Sequence, residues 1–116
     1  DRGLHPSDSW LNIHSLWYSG RLGGMFDSIE NEIMFEYYLC ELRRRIPDYW
    51  FNIKRRQYSK PLYVALREMK AEDKVFYEEY ARLFQSEHPF QKYHCAKRIY
   101  DLLFLKAAPH STSVTP

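Results

Sequence analysis

Five histidines, two cysteines and 15 acidic side chains are the groups through which this chain could move a proton, hold a metal ion or attack a substrate. Their spacing supports none of these roles. His5, His14, His88, His94 and His110 are scattered, with no HExxH string. Cys40 and Cys95 stand 55 positions apart, far from metal-ligand spacing. His94 and Cys95 are adjacent, which on a helix turns them to different faces, so both read as structural. Glu72-Asp73 and Glu78-Glu79 are also chain neighbours, and neighbours on a helix do not face each other. Ser19-Gly20-Arg21-Leu22-Gly23-Gly24-Met25 is glycine-rich but lacks the Lys-Ser/Thr of a phosphate loop. It reads as a structural turn with a close backbone approach. These residues predict no active site, no cofactor and no metal centre.

Aromatic rings and clustered arginines are what the chain has in excess. Tyr 10, Phe 7 and Trp 3 make up 17% of the residues, more rings than one small helical domain is expected to bury. Tyr, Trp and Arg are also the residues enriched at interface cores. The net charge of +2 conceals an uneven layout. Residues 1–42 hold 2 basic and 7 acidic side chains, residues 43–60 hold 7 and 1, and residues 61–116 hold 8 and 7. The basic block is Arg43-Arg44-Arg45, then Lys54-Arg55-Arg56 and Lys60, with Tyr49-Trp50-Phe51 between. Such a block suits phosphates, an anionic membrane surface or an acidic protein patch. The plainer reading is a solvated helix end whose arginines complement the C-terminal dipole. Rings beside cations also bind single-stranded nucleic acid, against which the near-neutral charge argues. Trp and Tyr favour the membrane–water boundary as well. Tyr37–Cys40 and Leu102–Leu105 are the longest clean apolar strings, far short of the roughly 20 residues of a membrane span. The expectation is a soluble or peripheral, non-enzymatic module that docks on a partner.

Helices must carry these side chains, because no strand-like alternation persists. Ser9 is placed to cap a short helix over Trp10 to Tyr18, broken by Gly20, Gly23 and Gly24. Asp27 with Glu30 makes a capping-box pattern for a long helix to about Arg45. Its apolar belt is Ile29, Ile33, Met34, Tyr37, Leu39, Cys40 and Leu42, and Pro47 is expected to stop it near Ile46. Residues 48–58 read as a loop or a short helical turn. Ser59 and Pro61 open a helix to about Lys70, with Leu62, Leu66 and Met69 on one face. Phe76, Tyr80, Leu83 and Phe84 make the clearest amphipathic stripe, over 72–85. His88-Pro89 breaks it, and a last helix runs from Phe90 to Lys106 on Tyr93, Ala96, Tyr100 and Leu103.

The expected fold is therefore all-α. It has four to five helices, long connecting loops and a weakly globular shape, in a single domain 1–106 followed by a flexible tail 107–116. Both cysteines are expected as free thiols within the apolar pattern. The missing initiator Met fits a removed targeting segment or an excised piece.

The order of the short strings resembles a known family. Trp10-Leu11, Trp17-Tyr18 and Arg21-Leu22-Gly23-Gly24-Met25 are similar to the opening of the 14-kDa subunit (subunit 7) of the mitochondrial cytochrome bc1 complex, which shows W-L, then W-Y, then K-L-G-L-M. Leu42-Arg43-Arg44-Arg45-Ile46-Pro47 resembles the family's I-R-R-L-P. Phe76-Tyr77-Glu78-Glu79-Tyr80 resembles its W-T-K-x-E-E, and Glu87-His88-Pro89-Phe90 its E-P-Y. The likeness spans about Trp10 to Leu103. Phe76 replaces a Trp, Ala71-Glu72 stands in place of a Leu-Pro, and Leu102–Lys106 replaces a highly charged C-terminal helix. The resemblance implies an accessory subunit of ubiquinol–cytochrome c reductase without a redox centre. It would lie peripherally on the matrix side of the mitochondrial inner membrane, against cytochrome b, the core proteins and other small subunits, and support assembly. Trp10, Trp17 and Tyr18 are then expected as N-terminal anchors and Trp50 as a further contact. Arg43, Arg44 and Arg45 are expected on cytochrome b loops or anionic lipid headgroups. The competing expectation is a soluble adaptor or RNA-binding module using 49–60.

Overall fold

Runs in which apolar side chains return every three or four positions become α-helices in the computed structural model, which describes residues 5–105. They are α1 (Asp8–Asp27), α2 (Glu32–Tyr49), α3 (Leu62–Glu72), α4 (Lys74–Gln85) and α5 (Pro89–Tyr100). α2 continues into a π-helical segment, Trp50–Arg55, and α5 into another, Asp101–Leu105. No strand occurs among the described residues. The all-α class with about five helices is as expected, but the long loops are not. Asp73 alone separates α3 from α4, and the longest connection is 56–61. Nor is the shape weakly globular. The radius of gyration is 14.4 Å, near the ~13 Å of a compact chain this size, and the extents of 45 × 35 × 23 Å describe a flattened body. The expected tail 107–116 lies outside the described residues.

α1 is one continuous helix, not a short helix ended by glycines. A glycine costs about 1 kcal/mol relative to alanine in a helix interior. Burial of Tyr18, Leu22 and Met25 on either side of the glycines outweighs that cost. Ser7 rather than Ser9 is the cap, its Oγ accepting from the Trp10 N–H at 3.1 Å. The close approach does occur, at Gly24, where a Cβ would lie 2.7 Å from the Tyr38 ring. Asp27 ends α1 instead of opening α2, and Asn31 caps α2 by accepting from the Met34 N–H at 3.1 Å.

α2 buries Phe35, Leu39, Leu42, Ile46 and Tyr49, a stripe repeating every three or four residues. The expected belt mixed two faces: Ile33, Met34, Tyr37 and Cys40 are exposed. Pro47 does not stop the helix. It lacks an N–H, so the Arg43 carbonyl four residues earlier loses its helical donor. The Tyr80 hydroxyl donates to that carbonyl at 2.8 Å. Winding then loosens, and Trp50, Phe51 and Ile53 are all buried. Arg56 ends the segment in the left-handed region at φ 55, and the Gln57 N–H returns to the Phe51 carbonyl at 3.0 Å.

The remaining helices close the core around α2. α3 starts after Pro61, without Ser59 as its cap, and buries Ala65 and Met69 while Leu62 faces out. Asp73 Oδ1 accepts from the Phe76 N–H at 3.3 Å and so starts α4, which buries Phe76, Tyr80 and Leu83. α5 opens at Pro89 and buries Cys95, Ala96 and Ile99. Leu103 and Phe104 complete the interior.

Candidate docking surface

α1 and α2 lie side by side, and the residues expected as N-terminal anchors collect along their seam. The Trp10 ring lies 4.2 Å from the His14 ring and edge-on to Tyr49 at 6.0 Å. Trp17 is half-buried beneath two guanidiniums, Arg21 at 4.6 Å and Arg45 at 5.7 Å. Arg21 is held in turn by Glu41 at 2.9 Å. Tyr18 is corrected from an expected partner contact to an interior residue. It is fully buried, and its hydroxyl donates to the Ala96 carbonyl at 2.8 Å, tying α1 to α5. His14 Nδ1 lies 2.9 Å from the Tyr49 hydroxyl and 3.4 Å from Arg45 Nη2, both donors, so it serves as the acceptor of a neutral imidazole. Burial, and then the Arg45 charge, lower the His14 pKa below 6.5. Burial raises Tyr49 and, more strongly, Tyr18 above the ordinary phenol value.

Trp50 is corrected in the same way. Its indole is fully buried and donates to Asp73 Oδ2 at 2.9 Å, so one carboxylate both caps α4 and satisfies the ring. Tyr49 and Phe51 are also fully buried, which leaves segment 49–51 with no ring to stack on a base. Arg43 is an internal brace. It donates to the Leu83 carbonyl at 2.8 Å, one of the last carbonyls of α4, and lies 4.7 Å over the Phe84 ring. Arg55 pairs with Glu68 and Glu72, and Lys60 with Glu68. Much of the basic block is thus matched inside the fold by acids from distant segments, which no local reading of charge reveals. Arg44 is the exception: it is exposed and has no ion pair or hydrogen bond among the described residues.

Other ionisable groups hold helices together. Glu79 takes Arg82 at 2.8 Å and Arg98 at 3.0 Å. Burial pushes Tyr80 up to about 12 and raises the thiol of Cys95, which lies in the core as a free cysteine. Cys40 is free but on the surface, not in the core as expected. Among the described residues no group of three or more His, Cys, Asp or Glu could hold a metal ion. No helix there is long and apolar enough to cross a membrane.

The outward side of α1 is what reasoning from the sequence missed. Ile13 and Leu16 are 61% and 64% exposed, followed along the same side by Gly20 and Gly23 with open space around them. Asp8, Arg21 and Asp27 are the only Asp, Glu, Lys or Arg residues in the helix, and Asp27 is exposed at its end in register with Gly20 and Gly23. Large apolar side chains left exposed together on the side of a helix turned away from the core mark a surface that a partner can cover. The signal was available in the sequence: α1 has apolar residues on two faces, but the large rings of Trp10 and Trp17 drew attention to one. No protein-family model, no curated protein and no solved structure matches this chain.

Proposed function

We propose that this chain is a non-catalytic accessory subunit of respiratory complex III, ubiquinol–cytochrome c reductase. It sits peripherally on the matrix side of the inner membrane against cytochrome b and the core proteins, and it supports assembly. The observation that carries this reading is the outer side of α1 from Ser9 to Gly20, which holds no Asp, Glu, Lys or Arg and leaves Ile13 and Leu16 exposed, within the stretch whose Trp10-Leu11, Trp17-Tyr18 and Arg21–Met25 strings resemble that subunit family. In the assembly, Ile13, Leu16 and the open edges of Trp10 and Trp17 take the apolar contacts. Gly20 and Gly23 let a partner backbone come close. Arg44, exposed on α2, meets an acidic segment of cytochrome b.

Purification of the native protein in mild detergent tests the assignment. Co-elution with cytochrome b through affinity and sizing steps is the expected result. A chain that elutes free of cytochrome b contradicts it.

A further inference from the structure

A second surface lies on the other side of α2. A groove of about 450 Å³ opens between α2 and α4 and continues, through the shared residues Leu62, Tyr80 and Phe84, into a hollow of about 310 Å³ against α3. Cys40, Arg44 and Pro47 line its α2 wall about one turn apart. Tyr77, Tyr80 and Phe84 line its α4 wall at the same repeat. Leu62 and Phe84 stand 54% and 55% exposed on its lips. Its charged lining is Arg43, Arg44 and Lys60 against the single acid Asp48. Arg43 and Lys60 already have acidic neighbours, Glu36 and Glu68, whereas Arg44 has none within ion-pair distance among the described residues.

We infer that this groove receives an amphipathic helix of a partner protein, with apolar side chains on Leu62, Leu66 and Phe84 and an Asp or Glu beside Arg44. Charge selects the occupant through Arg44, the exposed lining cation with no acid within ion-pair distance among the described residues, since Arg43 and Lys60 are already met by Glu36 and Glu68. A groove walled by two helices, with apolar and aromatic side chains one turn apart along each wall, suits the helix-in-groove mode. From Tyr77 to Gln85 the α4 wall runs about 12 Å at ~1.5 Å per residue, room for about two turns of the incoming helix. The inference rests on reading this chain as a docking subunit, but it uses a surface separate from the outer face of α1.

Cys40 lines the groove and is exposed, whereas Cys95 is buried, so a maleimide fluorophore on the full chain reports from Cys40. The probes are a synthetic amphipathic helix with Leu on one face and Glu on its flanks, the same helix with Lys flanks, and phosphatidylglycerol vesicles. The Glu-flanked helix is expected to give a saturable spectral change that weakens with salt. Leu62→Ser should weaken it about 30-fold, Arg44→Ala about threefold, and Ile13→Glu/Leu16→Glu should leave it unchanged. No response to the Glu-flanked helix, an equal response to the Lys-flanked one, or a response to vesicles alone overturns the inference. Groove binding without cytochrome b co-elution removes the complex III assignment and keeps the groove; the reverse result removes the groove alone.

Discussion

At Pro47 the chain gives up a backbone hydrogen bond in mid-helix, and Tyr80 supplies one from another helix. Tyr80→Phe leaves the Arg43 carbonyl without that donor and should cost about 1–3 kcal/mol in urea unfolding. With Pro47→Ala in the background, the new N–H can reach the same carbonyl, so the cost of Tyr80→Phe should shrink; equal costs in both backgrounds would refute this pairing. The same hydroxyl sets a pH limit. Its folded pKa is raised from 10.0 to about 12, so between those values the native state holds a proton that the unfolded chain has released. Stability is full below pH 10 and falls as pH rises through that window, by about 2–3 kcal/mol for this group. Tyr18 and Tyr49 are raised as well and add to the loss. Ultraviolet titration should show the absorbance change of these three phenols arriving only with unfolding; a tyrosine absorbance change that is complete while the chain is still folded would contradict their burial. His14 acts at the other end. Its folded pKa lies below 6.5, so its contribution is present above that pH and is lost as pH falls below it.

At the scale of the element, the three glycines of α1 separate helix propensity from packing. Gly20 and Gly23 have nothing within 4 Å of a built Cβ, so Gly20→Ala and Gly23→Ala should each stabilise the isolated chain by about 0.5–1 kcal/mol. Gly24→Ala must push the Tyr38 ring aside and should fall below both in urea midpoint; the reverse order would contradict the seam between α1 and α2. Segments dominated by local periodicity were legible from residues alone. α4 has the expected stripe at Phe76, Tyr80 and Leu83, and α5 begins at the expected break. Segments decided by distant partners were not. Helix α1 survives its glycines because Tyr18, Leu22 and Met25 have a core to enter. Helix α2 survives Pro47 because of a hydroxyl from a residue 33 positions later. The Tyr49-Trp50-Phe51 knot reads as surface in sequence because three consecutive rings cannot share one stripe. In the fold Tyr49 meets α1 and Phe104, while Trp50 turns to Asp73 between α3 and α4.

For the whole molecule, the candidate contact residues divide by exposure. The expectation that surplus rings must lie outside holds only in part. Tyr18, Tyr49 and Trp50 are interior, while Tyr37, Tyr58, Tyr63, Phe84 and Phe90 remain on the surface. Trp10 and Trp17 are half-covered by the seam, and of the arginine triplet only Arg44 remains fully outward. In the proposed assembly the outer face of α1 is the central docking element. Ile13→Glu/Leu16→Glu places two charges on that face without touching the core, and surface changes of this kind cost about 0.5 kcal/mol or less. The deciding measurement is the yield of cytochrome b recovered with the tagged double variant in mild detergent, alongside its melting curve. Near-complete loss of cytochrome b with melting unchanged is the expected result. Recovery equal to that of the wild-type chain would contradict it.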